Sequence, residues 1–350
     1  MQLFVPGRLC LFGEHSDWAG GYRRINPELG KGYALISGID RGLYATVRPH
    51  PTHFTVRATG NRGESLGALQ LPMTADSLLA EARSGGFFSY AAGVAYQILQ
   101  RYRVGGIDLN NNRSTLPIQK GLSSSAALCV LVARAFNRTY NLQLSVREEM
   151  ELAYLGERTT PSQCGRMDQA CAYGQRPVMM IFEGEATEIV ELSLSQPLDL
   201  VLVDLGGVKN TQEILAALNQ AYPIARNRRQ KDVQYYLGEV SAEITQAAAI
   251  ALSQGDPQRL GQLMRQAQAA FDRYLIPACP SQLTAPLLHT LLEHPPLQPY
   301  IWGGKGVGSQ GDGTAQLLVK ERTARQEAIA VIERDFPQMH ALGLVLAPPT

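Results

Sequence analysis

The stretch Pro117-Ile-Gln-Lys-Gly-Leu-Ser-Ser-Ser-Ala-Ala-Leu-Cys-Val-Leu-Val-Ala-Arg-Ala-Phe136 passes from a small-residue, hydroxyl-rich turn straight into an apolar helix. A helix leaves its first backbone N–H groups without partners and carries partial positive charge at that end, so phosphate oxygens are natural ligands there. Gly121 lets backbone and ligand come close. Ser123, Ser124 and Ser125 can cap the helix, bond a phosphate oxygen or ligate Mg²⁺, and Ala126 to Ala133 is apolar enough to bury the helix behind them. Three capping serines on a core helix would read the same way in isolation, so the rest of the chain has to decide.

At 350 residues the chain exceeds one typical domain, which favours two domains sharing a cleft. Apolar residues at 45% and charged ones at 18% describe a globule with a large core, and a net charge of +1 argues against nucleic acid as the main partner. Cys10, Cys129, Cys164, Cys171 and Cys279 are odd in number and scattered, as reduced thiols would be, and none has the spacing of a zinc site. The Met1 to Pro6 segment has no basic head with a long apolar run after it, and no segment approaches membrane-spanning length, so a cytoplasmic protein is expected.

Leu3 to Val5 reads as a strand ended by Pro6-Gly7, with Leu9 to Phe12 extended into the loop Gly13-Glu14-His15-Ser16-Asp17-Trp18-Ala19-Gly20-Gly21. Arg8, Glu14, His15 and Asp17 supply a fork donor, acceptors and an amphoteric ring beside glycines, which suits a polyhydroxylated ligand, although an exposed polar turn has the same composition. Tyr22 to Lys31 is the most basic run, with Arg23, Arg24 and Lys31, and fits a solvated loop or contact with an acidic ligand group. Strands are predicted at Tyr33 to Ser37 and Leu43 to Arg48, separated by a turn at Gly38 to Gly42, then at His53 to Ala58. Gly60 to Ser84 is weakly patterned. Phe87 to Tyr102 has helical spacing, and Ile107 to Asn110 leads as a strand through an Asn-rich turn toward the opening stretch. Long helix, strand, turn and helix in that order indicate a mixed α and β layer.

Ser145-Val146-Arg147-Glu148 matches a capping box and starts a helix ending near Glu157. Pro161 and Gly165 then break the helical pattern and present Asp168 beside a small-residue helix, where an Asp is commonly a cap or a dipole partner. Val178 to Phe182, Ile189 to Leu192 and Leu198 to Val203 read as strands, and a domain boundary is placed near Pro197. Thr211 to Tyr222, Ala225 to Gln254 and Pro257 to Tyr274 read as helices, the last with Asp256 as cap and Pro257 as first helical residue. The later cluster Gly303 to Gly313 contains G-x-G-x-x-G, but a strand-like run, Thr314 to Val319, follows it where a dinucleotide fingerprint needs a helix.

Three segments in this order resemble the GHMP kinases, the small-molecule kinase superfamily. Pro6-Gly7-Arg8 with Gly13-Glu14-His15-Ser16-Asp17 and Gly20-Gly21 is most similar to galactokinase-like sugar kinases. Pro117 with Gly121-Leu122-Ser123-Ser124-Ser125-Ala126 resembles the superfamily phosphate loop, and Cys164-Gly165-Arg166-Met167-Asp168-Gln169 the segment that holds the catalytic aspartate. The final glycine cluster sits where the third motif belongs. Trp18 and Ala19 replace the usual Tyr-Asn pair, and Gln119 and Lys120 stand where relatives carry small residues.

The resemblance implies an α+β fold of two domains: an N-terminal ribosomal protein S5 domain 2-like domain, residues 1–196, and a C-terminal ferredoxin-like domain, residues 197–350. It implies ATP and Mg²⁺ as cofactors and a monosaccharide as substrate, with no nucleic acid or membrane partner. Asp168 and Arg8 would be catalytic. Glu14, His15, Asp17 and Gly165 would bind the sugar. Lys120, Gly121, Leu122, Ser123, Ser124, Ser125 and Ala126 would hold the nucleotide phosphates, with Ser125 and Glu157 at the metal. Phosphoryl transfer needs positioning and charge neutralisation more than covalent help, which fits this set. The expected activity is transfer of the ATP γ-phosphate to a sugar hydroxyl, the anomeric hydroxyl of galactose or a related sugar. The competing readings are a kinase for an acidic substrate such as a uronic acid or mevalonate, with Arg23, Arg24 or Lys31 on the carboxylate, and a catalytically silent sugar-sensing regulator on the same scaffold.

Overall fold

The structure is a computed structural model that describes residues 1–116, 122–162 and 164–347. Lys120 and Gly121 of the expected phosphate seat, and Gln119 beside them, lie outside the described residues. In chain order the elements begin β1 (Gln2–Phe12), α1 (Ser16–Gly21), β2 (Gly32–His50), β3 (His53–Thr59), β4 (Ser65–Pro72), α2 (Ala75–Ser84) and α3 (Ser89–Leu99). They continue with β5 (Gly106–Ser114), α4 (Ser124–Tyr140), α5 (Val146–Arg158), β6 (Val178–Glu183), β7 (Ala186–Glu191) and β8 (Leu198–Asp204). The remainder is α6 (Thr211–Asn219), α7 (Arg228–Tyr235), α8 (Ser241–Gln254), α9 (Pro257–Leu275), α10 (Pro280–Leu283), α11 (Pro286–Leu292), β9 (Ile301–Gly306), β10 (Thr314–Val319), α12 (Arg322–Asp335) and β11 (His340–Leu346).

The described chain divides into two compact units, residues 1–9 with 38–175, and residues 10–37 with 176–350. The first has strands in the order β4, β3, β5, β2, antiparallel except for the parallel β3/β5 pair. Its helices α3, α4 and α5 pack on one another, and their inner faces bury Ala91, Val94, Val130 and Met150. Two glycines permit the α3/α5 approach: a Cβ on Gly93 would stand 2.2 Å from the Gly156 carbonyl, and one on Gly156 2.4 Å from the Val94 side chain. The Ser145 capping box is formed, with Glu148 N–H donating to Ser145 Oγ at 3.3 Å and Ser145 N–H to Glu148 Oε2 at 2.7 Å. Cap and crossing together fix both ends of α5, and so fix Glu157 in its last turn.

In the second unit, the start of β2 pairs with β6, Gly32 to Ile36 against Phe182 to Val178, and β6 pairs with β7. A separate antiparallel sheet has the order β11, β8, β10, β9. Val201, Leu288, Leu317 and Ile332 are fully buried in the core beside it. A second core gathers Ala19, Ile214, Tyr236 and Phe271. Asp256 caps α9 as expected, accepting from Arg259 N–H at 2.8 Å. The glycine cluster leads into strand β10, in agreement with the rejection of a dinucleotide fingerprint.

Three local expectations fail. Pro6-Gly7 does not end a strand, since β1 runs through both, and Asn111 to Arg113 continue β5 where a turn is predicted. Gly38 to Gly42 do not form a turn either, because β2 is one strand of 19 residues. A Cβ on Gly38 would lie 2.0 Å from the Gly174 carbonyl and one on Gly42 2.3 Å from the Val5 carbonyl, so these glycines admit neighbouring backbone. The weakly patterned 60–84 region supplies β4 and α2.

Gly38→Ala is therefore expected to destabilise the protein by about 2 kcal/mol or more, read as a lowered denaturation midpoint. Gly86→Ala, where the nearest atom is the Ser84 hydroxyl at 3.5 Å, is expected to stay within about 0.5 kcal/mol of the parent.

Candidate active site

In the first unit a cavity of about 420 Å³ is lined by the apolar or aromatic side chains of Leu43, Leu66, Phe87, Tyr90 and Leu116 and by the polar residues Arg8, Asp168 and Ser123 to Ser125. Its volume falls in the range of small-molecule sites, as does its combination of an apolar wall with a few convergent polar groups. The three serines are contributed by the start of α4, whose core-facing residues Ala126 to Ala133 are buried as the sequence implies. Ser123 takes the left-handed conformation, with φ of 52°, and no side chain caps the helix. A helix end without a capping side chain keeps its backbone donors for a ligand. Leu122 is buried just ahead of it, and its carbonyl accepts from Arg8 N–H at 3.3 Å.

Arg8 is buried on β1, and its Nε and Nη2 both reach Oδ1 of Asp168, the Nε at 3.1 Å. A guanidinium withdrawn from water needs such a partner. Asp168 begins the short 3₁₀ helix Asp168–Tyr173, and its side chain keeps 30% of its exposure, so one carboxylate bonds the arginine and still faces solvent. Gly165 is half-buried in the loop before it, where Arg166 bonds Glu151 at 2.6 Å.

Glu157 is almost fully buried. Its Oε1 accepts from Ser125 Oγ at 3.3 Å and Ser162 Oγ at 3.5 Å, and its Oε2 from Gln169 Nε2 at 2.8 Å. Burial first, and then the charge of Asp168, push its carboxyl up to about 7, against the pull of those three donors. Two carboxylates and a hydroxyl on one small region are hard oxygen ligands, and the repulsion between them is what a cation would relieve, so the donor set fits Mg²⁺. Among the described residues no group of three His, Cys, Asp or Glu is placed to hold a metal ion.

In the second unit, Glu14 and His15 are buried and Asp17 is half-buried. Glu14 Oε1 bonds the ammonium of Lys305, a side chain only 2% exposed. His15, at φ of 69°, precedes α1 and accepts from Trp18 Nε1–H on its Nδ1 at 3.2 Å. Burial first, then the charge of Lys209, and a smaller one from Lys305 hold His15 down to about 4, the Ser309 backbone opposing them. The basic run is paired with acids: Arg23 with Glu183 at 3.2 Å, Lys31 with Glu183 at 2.6 Å and Arg24 with Glu185 at 3.1 Å.

Phe87, Leu66, Gln169, Trp18 and Lys305 were not among the site residues expected from the sequence. Gln169 follows Asp168 directly and was within reach of the motif. Lys305 sits among glycines with no sequence signal that it would be buried against an acid near the other end of the chain.

Residues 89–175 match the family described as GHMP kinases N terminal domain. The chain is 28% identical over 294 residues to the galactokinase of Thermococcus kodakarensis, covering 76% of each. In fold it is similar to the Lactococcus lactis galactokinase complexed with galactose, with a TM-score of 0.73 at 18% identity over 99% of this chain and 93% of that one. It is also similar to the L. major mevalonate kinase in complex with R-mevalonate, with a TM-score of 0.69 at 18% identity over 100% and 97%. Residues 89–175 thus carry the GHMP kinase N-terminal domain, and the chain as a whole has the two-domain α+β fold of the solved galactokinase and mevalonate kinase. In sequence it is similar to galactokinases, and with the matched kinase domain this marks a phosphotransferase. No helix among the described residues is long and apolar enough to cross a membrane.

The raised Glu157 carboxyl has a stability consequence. Between about 4.5, its ordinary value, and about 7, the folded state holds a proton that the unfolded state has released, so this group lowers stability as pH rises across that window. In chelator, Glu157→Gln is expected to be more stable than the parent by about 2 kcal/mol at pH 8, with the difference fading toward pH 5, measured by denaturant unfolding.

Proposed function

We propose that this protein transfers the γ-phosphate of ATP to a monosaccharide hydroxyl, the anomeric hydroxyl of galactose or a related neutral sugar. The observation that carries the reading is the Arg8–Asp168 pair opening on the same cavity as the uncapped start of α4. A carboxylate held by a guanidinium, next to an anion seat, supplies what in-line phosphoryl transfer asks of a protein: a proton acceptor, charge neutralisation and fixed geometry.

Asp168 accepts or orients the proton of the attacking hydroxyl, and Arg8 stabilises the charge that develops on the transferred group. Leu122 to Ala126, with Lys120 and Gly121, hold the phosphates, and the apolar wall with Phe87 and Tyr90 takes the base. Ser125 and Glu157 would hold Mg²⁺, which would supply neutralisation of the phosphate charge. Glu14, His15, Asp17 and Gly165 bind the sugar. The galactokinase relative supports a neutral sugar. The pairing of Arg23, Arg24 and Lys31 with Glu183 and Glu185 weighs against those cations as a carboxylate site for an acidic substrate. The domain division at 196/197 is retained as part of this proposal.

Coupled ADP release over neutral sugars, amino sugars, uronic acids and mevalonate is expected to give turnover with a neutral sugar, and no turnover with any sugar sinks the reading. Asp168→Asn is expected to lower kcat by about 10³-fold while sugar affinity by calorimetry changes little. Full activity in that variant would reject Asp168 as the proton acceptor.

A further inference from the structure

Two side chains in the second unit, Lys305 and Trp18, have no role in the chemistry above, yet each bonds one of the residues assigned to the sugar. Lys305 is on β9, directly across the ladder from Gln316 on β10, so the two side chains share a face. Both are buried polar groups, and both are turned toward the start of the chain. Gln316 Nε2 donates to the carbonyls of Cys10 at 2.9 Å and Leu11 at 3.3 Å, and Lys305 bonds Glu14. Lys305 also donates to the Gly306 carbonyl at 2.8 Å, and Gly306 N–H is held by Gln268 Oε1 at 2.8 Å. Residues 10–14 are thereby fastened to the β9/β10 pair, and the Glu14 carboxylate, with an ammonium as neighbour, is left as an acceptor for a ligand.

Trp18 acts on the next residue. An indole N–H only donates, so the Nδ1 that receives it is an acceptor, and in a neutral imidazole the proton is then on Nε2. Burial keeps the ring neutral at ordinary pH. His15 Nε2 is itself buried; the Ser309 backbone lies near enough to favour a proton on the ring, but no hydrogen bond of good geometry reaches Nε2 among the described residues, so a ligand oxygen can complete it.

We propose that Lys305 and Trp18 are positioning residues that set the hydrogen-bond polarity of the sugar site, Glu14 accepting and His15 Nε2–H donating. The substrate must then present one hydroxyl that donates and one oxygen that accepts. The inference rests on the reading that Glu14 and His15 touch the sugar, and it is testable apart from that reading, because the tautomer is a property of the free protein.

In ¹⁵N NMR of the ligand-free protein, His15 is expected as the Nε2–H tautomer, and Trp18→Phe is expected to mix the two tautomers. A protonated Nδ1 in the parent overturns the proposal. With the sugar that is turned over, deoxy and deoxyfluoro analogues are compared at each ring position, since fluorine accepts weakly and cannot donate. One position should lose activity with hydrogen and retain much of it with fluorine, and another should lose it with both. Trp18→Phe should erase the fluorine advantage, and an unchanged pattern overturns the role of Trp18. Lys305→Met is expected to raise the sugar KM about tenfold or more with the ATP KM within about twofold, and Lys305→Arg to restore part of the loss. Equal effects on both KM values, or a loss of stability without any change in sugar KM, would make Lys305 a structural ion-pair member only. Should Lys305→Met fail to fold, Glu14→Gln combined with Lys305→Met removes the stranded carboxylate, and the position that tolerated neither substitution should then stop discriminating. Absence of turnover with every sugar would fall on the kinase reading, while the NMR result still decides the tautomer.

Discussion

A buried guanidinium cannot be left without partners, and Arg8 is the group around which the first unit is arranged. It leaves water on β1, and its side chain is satisfied by an aspartate 160 residues further along. The same residue's N–H is bonded to the Leu122 carbonyl, immediately before the serines that open α4. One residue therefore ties a strand, the start of a helix and a 3₁₀ turn to a common point. Withdrawing the aspartate would leave the charge buried and unpaired, and withdrawing the Leu122 carbonyl would leave the Arg8 N–H unbonded, so the carboxylate and the start of α4 are held in register through one residue.

The helices behind that point are placed by ordinary packing. Gly93 and Gly156 let α3 and α5 meet backbone to backbone, which delivers Glu157 to Ser125 and Gln169. Burial there makes the glutamate reluctant to ionise, and the neighbouring Asp168 adds to the effect. A cation and phosphate oxygens would resolve that tension, so the site reads as preorganised for charges brought by the ligand. In the second unit Glu14 is likewise buried with an opposite charge, the Lys305 ammonium, as its partner.

Much of this was legible in the residues. The capping box at Ser145, the Asp256-Pro257 start of α9, the helix behind Ser123 to Ser125 and the strand after the glycine cluster all stand as read, because each depends on contacts within a few residues. The glycines of β2 misled for the opposite reason. A glycine that permits a turn and one that admits a neighbouring strand are identical in the chain, and only the Gly174 and Val5 carbonyls tell them apart.

By itself the sequence determined the chemical inventory and its order: an arginine and an acid-rich glycine loop, a serine-rich helix start, an aspartate after a helix break and a late glycine cluster. That order is enough to carry the resemblance to the GHMP kinases, since local conformation and residue chemistry are properties of short segments. Only the tertiary structure decided which of those groups meet. It paired Arg8 with Asp168, assembled an apolar wall from Leu43, Leu66, Phe87 and Leu116, and buried Lys305 against Glu14 across 291 residues. Long-range electrostatic pairing and close backbone approach depend on how the chain closes on itself, and no periodicity or spacing in the sequence encodes that closure.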